Sequence, residues 1–234
     1  MKGKLYLIPS PLGEDALHTL PSYAIKHLHQ MNYIIAERGK TVRAFMKSTE
    51  PVKAFKEITF FELNKFTDKK DLPSFIKPLE QGHDVGLLSE AGCPGVADPG
   101  AVIVRMAHQK GIEVVPLVGP SSILLALMAS GMNGQSFCFH GYIPQKKPAV
   151  SKTLSKLEQM AIRHKQTQIF IETPYRNNPL IAEALKTLAP TTKFCIATDL
   201  TLDSQSVVTK TIEEWKKGEM PDIHKRATVY LIGH

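Results

Sequence analysis

The sequence predicts an α/β protein of two lobes, a mostly parallel sheet in the first (residues 1–118) and a mixed sheet in the second (residues 119–234). Three observations carry this reading. Short β-rich runs alternate with segments of helical period through the first half, and that order calls for parallel strands joined by crossover helices. The last two apolar runs lie too close together for a helical crossover, so the second half needs antiparallel pairs. A chain of 234 residues with 43% apolar residues is long enough to bury two small cores.

In the first half the strands are expected at "KLYLIP" (4–9), "NYIIAE" (32–37), "EITFFEL" (57–63), "DVGLLS" (84–89) and "IEVVPLV" (112–118), runs rich in β-branched and aromatic residues. Helical periodicity predicts helices at about 14–30, 40–47, 70–81 and 99–110 between them. "GPSS" at 119–122 then opens an apolar helix, Ile123 to Ser130, with Ser or Pro supplying its start, and the junction between lobes is placed here. Beyond it, strands are expected at 136–144, 167–173, 194–200, 205–212 and 227–233, with helices near 148–164 and 175–188.

Composition narrows the function. No apolar run approaches the roughly 20 residues that a membrane span needs. The apolar run in "MKGKLYLIPSP" is too short for a signal segment, so a cytoplasmic protein is expected. Cys93, Cys138 and Cys195 are too far apart for a local disulfide framework or zinc knuckle, and His27 and His29 lack metal-motif spacing, so no metal is expected. The net charge of +7 is uneven, with 15 basic and 13 acidic residues before position 119 and 14 and 9 after it. Lys146, Lys147, Lys152, Lys156, Arg163 and Lys165 face the single acid Glu158. Such a segment suits a polyanion partner, or a solvated helix face.

The phosphate-binding and nucleophile motifs GxGxxG, GxxxxGK[ST] and GxSxG are absent, which argues against a Rossmann dinucleotide enzyme, a P-loop NTPase and an α/β-hydrolase. What stands out is "LLSEAGCPGVADPG" (87–100), where a buried run ends in a loop of three glycines and two prolines with Glu90 and Asp98 at its sides. At the carboxyl end of a parallel strand, main-chain groups leave the ladder and can bond a ligand. Glycine lets that backbone come close and proline holds its shape. "IPSPLG" (8–13), "LVGPSS" (117–122) and "IETPYR" (171–176) repeat the pattern. Singly each is ordinary turn punctuation; four such loops at successive strand ends suggest a ligand site.

The order and wording of "LYLIPSPLG", "AERGKTVRAF", "LLSEAGCPGVADPG", "GIEVVPLVGPSSILLALMASGM", "FCFHGYIPQKK" and "IFIETPYR" resemble the tetrapyrrole methylase superfamily of S-adenosylmethionine-dependent methyltransferases. Within it they look most like the branch that methylates a cytidine ribose 2′-hydroxyl in small-subunit ribosomal RNA. The resemblance covers about residues 4–190 and implies a two-lobed homodimer with the cofactor in a cleft between lobes. It implies cofactor contacts from Pro11, Leu88, Ser89, Glu90, Ala91, Gly92 and Val96, from Ser121, Ser122 and Ala129, and from Tyr142, Glu172, Thr173 and Pro174. The absence of Lys or Arg between residues 85 and 104 suits a cationic sulfonium. Because that sulfonium is already a good leaving group, positioning the acceptor matters more than acid or base strength.

The chain departs from the branch's pattern in places. Glu37, Arg38, Gly39 and Lys40 stand where Glu-Asp-Thr-Arg is usual, the loop at Gly13 is shorter, and Glu90, Cys93 and Tyr175 replace Asp, Thr and His. The cofactor loops are kept while the substrate-side loops are altered. For catalysis, Glu37 and Arg176 are the polar candidates, though lone charges at such places are commonly loop anchors. Arg38, Lys40, Arg43, Lys146 and Lys147 are the candidate RNA contacts. Two other readings remain open on sequence alone: methylation of a corrin or porphyrin precursor, and a non-catalytic RNA-binding protein that retains the fold.

Overall fold

The computed structural model describes residues 1–50 and 54–234. The chain divides into two compact units, Met1–Ser121 and Ser122–His234.

The first lobe is built on five parallel strands, β1 (Leu5–Ile8), β2 (Tyr33–Ala36), β3 (Thr59–Glu62), β4 (Val85–Leu88) and β5 (Val114–Pro116), in the order β3-β2-β4-β1-β5. Register is continuous across the centre, with Leu7 beside Leu87 and Leu87 beside Ile35. Four helices cover it: α1 (Ser22–Gln30), α2 (Gly39–Ser48), α3 (Leu72–Glu80) and α4 (Ala101–Gln109). Successive strand residues point to opposite faces, and the core accordingly divides into two layers. Ile35, Leu87 and Val85 pack with Phe75, Ile76, Leu79 and Ile103 on the α3/α4 side. Ile34, Ala36 and Leu88 pack with Leu28, Val42 and Met46 on the α1/α2 side. β4 is buried along its whole length, as a central strand of a covered parallel sheet must be.

The second lobe has β6 (Phe137–Tyr142), β7 (Thr167–Ile171), β8 (Lys193–Thr198), β9 (Ser206–Thr211) and β10 (Thr228–Gly233) in the order β6-β7-β10-β8-β9. β6 and β7 are parallel, and every other pair is antiparallel, giving the mixed sheet expected. Helices α6 (Lys147–His164), α7 (Asn177–Thr187) and α8 (Ile212–Lys217) share a core with Phe170, Phe194 and Tyr230. α5 (Ser122–Ser130) packs on β8, β9 and β10. α6 buries Val150, Leu154, Leu157 and Ala161, a spacing of four, three and four that lays one stripe on the core.

Strand positions agree with the sequence pattern to within two residues. Two helices differ. The segment expected as one helix over 14–30 holds a 3-10 turn at Leu17–Thr19, and α1 starts only after Pro21, whose fixed φ and missing N–H suit a helix start rather than its interior. The short α8 was not anticipated, although Thr211 and Glu214 form a reciprocal capping box at its start. No helix among the described residues is long and apolar enough to cross a membrane.

Candidate active site

The chain leaves β1 and β4, neighbours in the first sheet, in opposite directions. β1 leads to β2 on the far side of β4, and β4 leads to β5 on the far side of β1. Such a reversal opens a crevice beyond the carboxyl ends of the strands, where α/β proteins bind ligands.

The two loops at this point are laced together. The Ser10 N–H donates to the Gly92 carbonyl at 2.9 Å and the Gly92 N–H to the Ser10 carbonyl at 3.0 Å. Ser10 Oγ donates to the Ser89 carbonyl at 2.8 Å, and Ser89 Oγ lies 3.1 and 3.0 Å from the carbonyls of Ala91 and Gly92. The peptide groups of Gly92, expected to be free for a ligand, are thus taken up by Ser10. Glycine is required there because φ is +72° and a Cβ would lie 3.2 Å from Leu12 Cδ2.

Downstream, Asp98 Oδ1 accepts the N–H groups of Gly95 at 2.8 Å and Gly100 at 2.7 Å, closing the loop upon itself. Burial raises the Asp98 carboxyl above its ordinary value and those two N–H groups oppose the rise. Cys93 Sγ reaches the Pro120 carbonyl at 3.5 Å, tying this loop to the segment after β5, and burial pushes its thiol up. At Gly119 a Cβ would fall 2.2 Å from Pro9 Cβ, so only glycine lets the segments after β1 and β5 pass. The outer side of the loop is open: Ala91 and Val96 are exposed, and no described atom lies within 4 Å of a Cβ built on Gly95.

Carboxylates gather on the β2 side. Glu37 follows β2 directly, and its carboxyl is raised by burial and by the negative charges of Glu90 and Asp98, against the lowering effect of Arg38. Glu90 Oε2 accepts the Thr41 hydroxyl at 3.1 Å, while its Oε1 is buried with no hydrogen-bond partner among the described residues. Glu62 Oε1 accepts the Gly39 N–H at 3.0 Å and so fastens the first turn of α2. Arg38 and Lys40 are exposed, whereas Arg43 stacks over Phe60 at 4.8 Å and serves packing as much as charge.

In the second lobe, Glu172 directly follows β7 and is buried. It accepts the Thr173 N–H at 2.6 Å and is paired with Arg176, whose Nε is buried and unpartnered among the described residues. Arg176 is therefore held by a carboxylate one helical turn away. Pro174–Arg176 forms a 3-10 turn, so the helix expected from 175 begins only at Asn177. Tyr142 is exposed at the end of β6, where Gly141 with φ +66° accompanies a break in register. Ser122 opens α5, Ala129 is exposed near its end, and Lys146 and Lys147 are exposed where α6 begins.

Sequence reasoning left Ser10, Thr41 and Asp98 out of the site. Asp98 carried a readable signal, since an Asp just before Pro and Gly in a tight loop commonly bonds nearby main-chain N–H groups. Thr41 carried none.

Solved structures similar in fold include two methyltransferases. The methyltransferase CobJ matches with a TM-score of 0.65 at 17% identity, over 99% of this chain and 94% of that one. Uroporphyrin-III C-methyltransferase from Thermus thermophilus, complexed with S-adenosylhomocysteine, matches with a TM-score of 0.58 at 15% identity, over 99% of this chain and 98% of that one. These likenesses concern the fold. The model of the tetrapyrrole (corrin/porphyrin) methylases matches residues 4–216. The chain belongs to that family, and with it to the S-adenosylmethionine-dependent methyltransferases. Among curated relatives it is similar to ribosomal RNA small subunit methyltransferase I of Pasteurella multocida, 30% identical over 99% of this chain and 79% of that protein. The corresponding protein of Halalkalibacterium halodurans is 32% identical over 91% of this chain and 70% of its own length.

The residues present fit this cofactor. The 85–104 segment carries no cation, Glu37, Glu90 and Asp98 supply a negative field that favours a sulfonium, and the open face at Gly95 leaves room beside the loop. Among the described residues no group of His, Cys, Asp and Glu could hold a metal ion.

Proposed function

We propose that this enzyme methylates small-subunit ribosomal RNA at the 2′-hydroxyl of a cytidine ribose. The observation that carries the reading is a likeness of about 30% identity, running along nearly the whole chain, to proteins named for that RNA. The solved tetrapyrrole enzymes share the fold at 17% identity or less. The net charge of +7 suits a polyanionic substrate.

In the first lobe, cofactor contacts are assigned to Pro11, Leu88 through Gly92, Val96 and Ser121. In the second lobe, the family pattern assigns them to Ser122, Ala129, Tyr142 and Glu172 through Pro174. When bound, the cofactor supplies an electrophilic methyl group on a sulfonium that leaves as a neutral thioether. The chain's own tasks are to orient the acceptor oxygen and to receive its proton. Glu37 is the residue assigned to the proton, because its raised carboxyl is a better base at neutral pH than an ordinary glutamate. Arg176, already bound to Glu172, is assigned to holding the 172–176 turn. The same reading places a homodimer in the cytoplasm, and sedimentation of the purified protein checks its dimeric state.

Mass spectrometry of ribosomal RNA from a strain lacking the gene tests the substrate. One missing ribose methyl, restored by the wild-type protein, is the expected result. Unchanged RNA, together with methyl transfer by the purified enzyme to a porphyrinogen, would overturn it.

A further inference from the structure

A hollow of about 450 Å³ lies wholly within the first lobe, between the segment after β1 (Ser10 to Glu14), the helix α2 and the Ser89–Glu90 pair. We propose that this hollow is the acceptor pocket and takes a single nucleoside swung out of an RNA strand. The inference rests on the RNA reading above and adds where, and in what form, that substrate is held.

Its volume is in the range of small-molecule sites. Pro11, Leu12, Val42 and Phe45 give it apolar and aromatic walls, the surfaces on which an unstacked base settles. Its charged members are Glu14 and Glu90, and no Lys or Arg lines it among the described residues. That lining is hostile to a phosphate and to a macrocycle fringed with carboxylates. A neutral nucleoside brings the opposite chemistry, namely hydroxyl and exocyclic amine donors. Glu90 can receive them, because only one of its oxygens is engaged, by Thr41, and an unsatisfied buried carboxylate oxygen calls for a donor.

Cations stand outside the hollow. Lys40 and Lys47 lie four residues before and three after Ala44, which lines it, so all three share a face of α2. Both lysines are exposed, and neither has a carboxylate within 4 Å among the described residues. A base and ribose inside, with flanking phosphates against lysines at the rim, is the division of labour expected of an enzyme that works on one nucleotide of a strand.

The test is Ala44→Trp, which fills the hollow from an exposed helix position, with Ala44→Ser as the size control. Both are assayed for methyl transfer to small ribosomal subunits purified from cells lacking the gene, and for S-adenosylhomocysteine binding by calorimetry. Ala44→Trp should lose about 100-fold in kcat/KM, the scale of a displaced acceptor, while its S-adenosylhomocysteine affinity and that of Ala44→Ser stay at the wild-type value. Undiminished transfer by a folded Ala44→Trp enzyme overturns the pocket and leaves the RNA reading standing. Loss of S-adenosylhomocysteine binding in Ala44→Trp assigns the hollow to the cofactor and also overturns the proposal. A wild-type enzyme inert on the subunits overturns the RNA reading, and the pocket's assignment with it.

Discussion

Ser10 and Gly92 exchange two main-chain hydrogen bonds, of 2.9 and 3.0 Å, across the loops that follow β1 and β4. Three glycines at this edge should then respond to alanine for separable reasons. Gly95 has φ +83° and open space around it, so Gly95→Ala should cost about 1 kcal/mol for backbone handedness alone. Gly92→Ala adds contacts of 3.2 Å to Leu12 and 3.4 Å to the Pro120 carbonyl and should cost more. Gly119→Ala drives a methyl into the rigid Pro9 ring and should cost the most, about 3 kcal/mol. Urea midpoints of the three variants check that ranking, and a Gly92→Ala protein as stable as wild type would show that the loop accommodates a Cβ at φ +72° without strain.

Glu37 should make stability depend on pH. Burial, reinforced by Glu90 and Asp98, raises its carboxyl, so the folded protein keeps that proton to a higher pH than the unfolded chain does. The stabilisation tied to the proton is complete below the ordinary glutamate range and is lost as pH climbs through the raised value. Glu37→Gln removes the titration and keeps the shape. Its melting temperature should equal that of wild type in acid and exceed it increasingly toward neutrality. Parallel melting curves at every pH would show that Glu37 is solvated like any surface glutamate.

Asn177 is fully buried and joins three segments of the second lobe. Its Nδ2 donates to the carbonyls of Ile223 at 2.9 Å and Arg226 at 2.7 Å, and its Oδ1 accepts the Tyr230 hydroxyl at 2.8 Å. Asn177→Leu would keep the branching at Cγ, add bulk and orphan all three groups. A loss of about 3 kcal/mol or more is expected, read from chemical denaturation followed by the near-ultraviolet signal of Tyr230 and of Trp215 in the same core.

Cys195 is buried on β8, and burial pushes its thiol up to about 11. Thiolate is the reacting species, so iodoacetamide at neutral pH should leave Cys195 intact in the native protein while the half-buried Cys138 reacts, and should label all three cysteines in denaturant. Peptide mass spectrometry reads the outcome, and early modification of Cys195 would mean that β8 opens.

The sequence announced its strands well because they are short apolar runs bounded by polar or turn-forming residues, as at Ile8–Pro9 and Leu88–Ser89. Helix starts were less legible. Pro21 interrupts a segment whose apolar spacing alone reads as helical, and the 3-10 turn Pro174–Arg176 delays the start of α7 by two residues. The loop at 87–100 announced a ligand site through its glycines and prolines, but not which peptide groups remain available. That depended on Ser10, 82 positions away from Gly92, and a pairing across such a distance leaves no periodicity to detect. Thr41 and Asn177 were illegible for the same reason, since each acts only through partners that folding brings to it.

β10 lies in the interior of its sheet, between β7 and β8, yet among the described residues it is the last strand to be synthesised. While the chain is growing, β7 and β8 each present an unpaired edge until Thr228–Gly233 arrives to join them. The first lobe has its full set of strands by residue 116 and needs no such wait. Assembly should therefore proceed in two stages, and a chaperone that shields exposed strand edges would be engaged chiefly by nascent chains whose second half is still open.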